Sequence, residues 1–198
     1  MSLLNWNRAN NNAGDMGFPV NDIYINVGSK TAMSPIYYSA KYADRMSHQN
    51  FVPMAIRVDD ENAWSQLCKL NDRLIAENGD RISQQGKVNS FLYDGGEGKR
   101  YVNVRVYPNH RRKKCVMRRL NEQGEPELVS EEDLRTRHFE GCYNIQLDPA
   151  FSGNRVVCFY MRLAYAAFRD RAYIEQEEEM DGTGGQDEEQ DRWEAMLM

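Results

Sequence analysis

In the segment Lys99–Pro108, KRYVNVRVYP, side-chain type alternates along the chain. In an extended backbone Val102, Val104 and Val106 fall on one side, and Lys99, Tyr101, Asn103, Arg105 and Tyr107 on the other. Same-side neighbours on a strand stand about 7 Å apart. Tyrosine rings at such intervals stack on flat π-faced groups and the cations between them neutralise phosphates. That combination holds a single strand of nucleic acid, each stack contributing about 1–3 kcal/mol. Arg100 lies in the same run, and Arg111, Arg112, Lys113, Lys114, Arg118 and Arg119 follow, so nine of the 25 basic residues fall between Lys99 and Arg119. The competing reading is a tyrosine-rich sheet face covered by another element, beside a basic loop that keeps the protein soluble. No helix presents base-reading Arg and Asn residues on one face, which disfavours duplex recognition. Stacking and phosphate contacts do not read a 2′-hydroxyl, so these residue types do not separate DNA from RNA.

Other chemistries find less support. Asp59-Asp60-Glu61 and Glu131-Glu132-Asp133 are carboxylate clusters, but both stand at expected helix starts, where acids favour the positive end of the dipole. Gly95-Gly96-Glu97-Gly98-Lys99 lacks phosphate-loop spacing and precedes a strand, so no helix N-terminus follows it to hold a phosphate. No GxSxG or HExxH motif occurs. Cys68, Cys115, Cys142 and Cys158 and the three histidines are scattered without metal-ligand spacing. The expectation is a non-enzymatic chain with no cofactor and no metal, its cysteines reduced and mostly buried.

The elements that position the row are short. Alternation in Asp22–Val27 reads as a half-buried strand, Ile36–Tyr42 and Phe51–Val58 as two more, and Pro53 marks an edge or bulge. Asp60 caps a helix whose stripe Trp64, Leu67, Leu70, Leu74 and Ile75 runs to Asn78-Gly79. Ser90–Tyr93 is a short strand, and Lys114–Leu120 is expected to pair with Lys99–Tyr107 across the loop Pro108–Lys113. Ser130–Asp133 resembles a capping box. Gly141–Leu147 and Arg155–Phe168 read as the last strands, joined by a turn at 152–154. Many short strands with one or two helices suggest a mainly β fold, a small barrel or sandwich with helical insertions.

The net charge of −5 hides an asymmetry: ten acidic residues and one basic residue lie between Glu175 and Glu194. Three units are expected: residues 1–19 as a flexible arm, 20–174 as the binding domain, and 175–198 as a disordered acidic tail. The tail ends in an apolar tip in which Trp193, Met196 and Leu197 are candidates for binding a partner protein, with a terminal helix on the body or self-association as alternatives. The acidic run can also compete for the basic groove. No apolar run is long enough to span a membrane, and the first residues lack a secretory signal, so an intracellular location is expected.

The segment Phe139–Arg169, FEGCYNIQLDPAFSGNRVVCFYMRLAYAAFR, resembles the closing hairpin of phage and large-DNA-virus single-stranded DNA-binding proteins. The basic-aromatic strand upstream and the acidic C-terminus stand in the same order as in that family, and Tyr101, Arg105, Tyr107, Gly141 and Tyr143 map onto its pattern. The resemblance implies an OB-like five-stranded barrel with an inserted helix. It also implies sequence-tolerant coating of single-stranded DNA in replication or recombination, in the host cytoplasm or nucleus, and a tail that recruits replication or recombination proteins. Tails in that family commonly end in Phe, whereas this chain ends in Met-Leu-Met after Trp193. The rival from another class is a virion or scaffold protein assembling head to tail through its basic loop and acidic tail. Homo-oligomerisation is open on either reading.

Overall fold

Along the chain the strands are β1 (Leu4–Arg8), β2 (Asp15–Pro19), β3 (Tyr24–Val27), β4 (Ser34–Tyr38), β5 (Val52–Arg57), β6 (Val88–Asn89), β7 (Leu92–Asp94), β8 (Arg100–Val106), β9 (Val116–Leu120), β10 (Pro126–Leu128), β11 (Phe139–Gly153) and β12 (Val156–Asp170). Among the described residues the helices are α1 (Glu61–Glu77), α2 (Gly79–Gln85) and α3 (Glu131–Thr136). The computed structural model describes residues 2–8, 14–38, 51–111, 113, 115–120 and 125–170. Arg112, Lys114, the acidic stretch beyond residue 174 and the apolar tip lie outside them.

Five strands close into a ring, β4–β5–β8–β12–β11 and back to β4. All neighbours are antiparallel except β8 and β12, which run parallel. This is the expected barrel of OB type, a closed Greek-key ring. Its interior is where alternation put it: Val102, Val104 and Val106 face Ile56, Met54 and Val52 across the β5–β8 pair, all nearly or wholly buried. Each such side chain contributes about 1.5–3 kcal/mol by leaving water. Gly141 sits where β11 meets β12 so closely that a Cβ would lie 2.3 Å from the carbonyl oxygen of Ala167. Tyr143 is buried and donates its hydroxyl to the Ser34 carbonyl at 2.8 Å, tying β11 to β4.

Helix α1 starts as expected. The Asp60 carboxylate accepts from the backbone N–H groups of Asn62 and Ala63, and Leu67, Leu70 and Leu74 turn inward. The chain does not leave the helical path at Asn78-Gly79 but opens α2 at once. Ser130 and Asp133 form the expected capping box on α3, which inserts the fully buried Leu134 into the core.

Two expectations are corrected. Residues 1–19 do not form an arm over the described part: β1 and β2 pair antiparallel, and β2 joins β11. The cause is Trp6, whose ring covers Gly17 where a Cβ would come within 2.9 Å. Its indole N–H donates to Asn78 at 2.8 Å and the Arg81 guanidinium lies 4.4 Å above the ring. Nor does β9 pair with β8. Val104 and Arg105 of β8 align with Met161 and Arg162 of β12, and Val116 of β9 aligns with Tyr165 on the same parallel edge. The two strands therefore follow one another along β12, interrupted by an excursion over residues 107–115. A hydrogen bond from the Cys115 N–H to the Tyr107 carbonyl at 3.3 Å brings the ends of that excursion together.

Candidate nucleic-acid interface

The outer wall of β4, β5 and β8 is built by the residues that alternate with the core. Across the β5–β8 pair, Arg57 faces Tyr101, Ala55 faces Asn103 and Pro53 faces Arg105. Tyr37 of β4 stands opposite the small Ala55, which leaves room for its ring to reach Tyr101 edge-on at 6.1 Å. Tyr93 of β7, in register with Tyr101, adds a tilted contact at 5.8 Å. The turn after β7 passes so close that a Cβ on Gly95 would lie 2.7 Å from the Tyr101 ring. Three half-exposed tyrosines thus form one aromatic patch with Tyr101 at its centre. Arg57 beside it donates Nε–H to Asp59 at 2.9 Å. Asn103, between Tyr101 and Arg105, is 7% exposed, and its side-chain oxygen has no hydrogen-bond partner among the described residues.

Further along β8 the row is covered. Asp148 of β11 lies opposite Tyr160 but is fully buried, with Tyr107 and Lys113 against it. Its carboxylate accepts from the Tyr107 hydroxyl at 2.8 Å and from Lys113 Nζ at 2.8 Å, and an Arg105 nitrogen lies 3.7 Å away. The Arg105 guanidinium lies 3.3 Å above the Tyr160 ring and 4.7 Å from that of Phe51. Burial, then the nearby Asp148 charge, pushes the Tyr107 phenol far above its ordinary range, and burial does the same for Tyr160. His110 Nδ1 accepts the Lys113 N–H at 3.1 Å, tightening the loop from within.

The expected site residues therefore separate. Tyr101 and Arg105 share the outer wall, and Arg111 is exposed in the segment that follows β8. Lys99, with 42% of its side chain exposed, sits at the end of the turn beside Tyr101, 4.0 Å from Glu97. Arg118 is exposed on β9. Tyr107 is on the expected side of the strand but 7% exposed, since the loop closes over it, so its ring is not a stacking surface. Lys113 is bound to Asp148. Arg100 points to the opposite side, where it makes a two-pronged contact with Glu61 at 2.8 and 3.0 Å and lies 5.3 Å from the Trp64 ring. Arg119 is held by Glu127. Arg112, Lys114, Trp193, Met196 and Leu197 fall outside the described residues.

Sequence reasoning missed Tyr37, Tyr93, Arg57 and Asp148. Tyr37 and Tyr93 were within reach, since each alternates with an apolar neighbour in its own strand; nothing in the sequence sets Asp148 apart from other polar residues of the hairpin such as Glu140 and Gln146.

No protein-family model matches the chain, and no curated protein matches it. Among solved structures, gp2.5, a single-stranded DNA-binding protein encoded by bacteriophage T7, is similar over 80% of this chain and 92% of its own, with a TM-score of 0.47 and 10% identity. The single-stranded DNA-binding protein from bacteriophage Enc34, in complex with single-stranded DNA, is similar over 85% of this chain and 96% of its own, with a TM-score of 0.46 and 11% identity. The C-terminally truncated form of the same protein gives a TM-score of 0.45 at 11% identity.

Proposed function

We propose that this protein binds single-stranded DNA with little sequence preference, on the outer wall of β5 and β8. The observation that carries the reading is the aromatic patch Tyr37–Tyr93–Tyr101, centred on Tyr101 of the third strand of the ring and contributed to by β4 and β7, with Arg57 of the second strand and Arg105 of the third beside it. That wall is where OB barrels take oligonucleotides. Stacking supplies affinity that every base can share, and the cations supply a salt-dependent term.

The wider role follows the same reading. A sequence-tolerant single-strand binder serves DNA replication or recombination by covering exposed strands. The acidic stretch from Glu175 to Glu194 competes with DNA for the basic wall, and Trp193, Met196 and Leu197 engage partner proteins. The support for these statements is the charge asymmetry and the apolar tip of the sequence.

The reading is tested by fluorescence polarisation of a labelled single-stranded oligomer of about 30 nucleotides at low salt, with duplex and RNA of matched sequence as competitors. Binding that weakens linearly in log salt and is competed poorly by duplex supports it. Equal competition by duplex overturns it.

A further inference from the structure

We propose that the bound strand continues past the basic excursion onto a second stacking platform, built around Tyr165 on the outer face of β9 and β12. The inference rests on the single-strand-binding reading above.

It begins with a reversal of parity. Along β12, Val157, Phe159, Met161 and Leu163 are fully buried and face the barrel interior. Continued alternation would send residue 165 inward as well. Instead Ala166 and Phe168 are buried, and Tyr165 is 44% exposed. The switch has a located cause: Asn144 pairs with Tyr165 while Ile145 pairs with Leu163, so Ala164 is one residue too many on its strand. This β-bulge turns a tyrosine out of the core and into solvent. Bulges re-aim side chains in this way beside functional sites. A tyrosine inside would have been satisfied by packing, so the bulge leaves a large ring uncovered where an ordinary strand would have buried it.

The surroundings of Tyr165 match the face already described. Val116, 42% exposed, stands beside it on β9. Next along the same outer side comes the exposed Arg118, flanked in register by Ala167 and by Leu128. A ring, a small apolar residue and a cation thus lie near one another here, as Tyr101, Ala55 and Arg105 do on the first wall. The two platforms are also aligned, because β8 and β9 occupy successive stretches of one edge of β12 with their outer residues on the same side. Arg105 is level with Arg162, three residues before Tyr165, which places the platforms roughly 20–25 Å apart at strand rise. In the chain between β8 and β9, Arg111 is exposed and Lys113 is pinned to Asp148. A strand stacked on Tyr101 meets Arg111, then Tyr165 and Arg118. Continuity with the first platform and the positive charge beside Tyr165 favour nucleic acid over a protein occupant.

The experiment is a length series. Labelled oligomers of about 4, 8, 12 and 16 nucleotides, spanning the site sizes known for OB folds, are titrated against wild type, Tyr165→Ala and Arg118→Ala. Tyr165 is exposed, so its loss leaves the fold intact, which circular dichroism verifies. Wild-type affinity is expected to step up once an oligomer spans both platforms. Tyr165→Ala should bind the shortest oligomer as wild type does and the longest about tenfold more weakly, the size of one lost stack. Arg118→Ala should flatten the salt dependence for long oligomers only. The inference is overturned by a Tyr165→Ala protein that matches wild type at every length, or that is equally weakened at every length. It is also overturned if the substitution changes the sedimentation coefficient of the free protein while leaving DNA binding intact, which would make the occupant a second copy. If wild type binds no oligomer at all, the parent reading fails, and this one with it.

Discussion

The Tyr107 hydroxyl donates to the Asp148 carboxylate at 2.8 Å, at a place where Tyr107 is 7% and Asp148 0% exposed. A tyrosine whose position in the row suggests base stacking is instead part of the wall that anchors the basic loop. Tyr107→Phe should therefore leave affinity for single-stranded DNA within about twofold of wild type. It should lower stability by about 1–3 kcal/mol, because a buried carboxylate loses a donor. Urea denaturation and oligomer titration of the same variant check both halves.

Lys113 supplies the second contact to that carboxylate, at 2.8 Å. Lys113→Met leaves Asp148 buried with, among the described residues, Arg105 at 3.7 Å as its remaining neighbouring cation. A loss on the order of 3 kcal/mol is expected, as for a broken buried pair. Double-mutant analysis with Asp148→Asn should recover a large part of that loss, since the second change removes the stranded charge.

The cations divide by direction. Arg111 is exposed on the excursion, whereas Arg100 points to Glu61 and Trp64 on the far side. Arg111→Ala should reduce the slope of log K against log salt by about 0.7, the value for one phosphate on a single strand, and Arg100→Ala should leave the slope unchanged. Titrations at four or more salt concentrations measure this directly.

Burial also sets a pH limit. It raises the phenols of Tyr107, Tyr143 and Tyr160 and pushes the Cys115 thiol up to about 12. In each case the folded protein keeps its proton after the unfolded chain has released it. The unfolded state then binds fewer protons, so stability is full below the unfolded values near pH 9–10 and falls as pH rises above them. Thermal melts from pH 7 to 11 should show Tm declining from about pH 9, with a shallower decline in Cys115→Ala.

Much of the barrel was legible because it rests on local rules. The valines at 102, 104 and 106, the Asp60 cap and the Ser130–Asp133 capping box each act within a few residues, and each stands where the sequence places it. What escaped depends on long-range pairing. The β9 segment looks like a hairpin partner of β8 because sequence cannot show that both lie on one edge of β12. The strand character of residues 4–8 comes from Trp6 meeting Gly17, Asn78 and Arg81, the last two more than seventy residues away. The site behaved likewise. Tyr101 was legible from alternation, but the cover over Tyr107 depends on how the excursion folds, and the exposure of Tyr165 on a single extra residue at Ala164.

The most direct test of single-strand binding on the β5–β8 wall is the affinity of Tyr101→Ala for a labelled single-stranded oligomer of about 30 nucleotides, measured beside wild type at low salt. Wild type should bind, and the variant should lose about 1–3 kcal/mol at every salt concentration while keeping its salt slope. A Tyr101→Ala protein that is folded and binds as tightly as wild type would contradict the assignment of this wall.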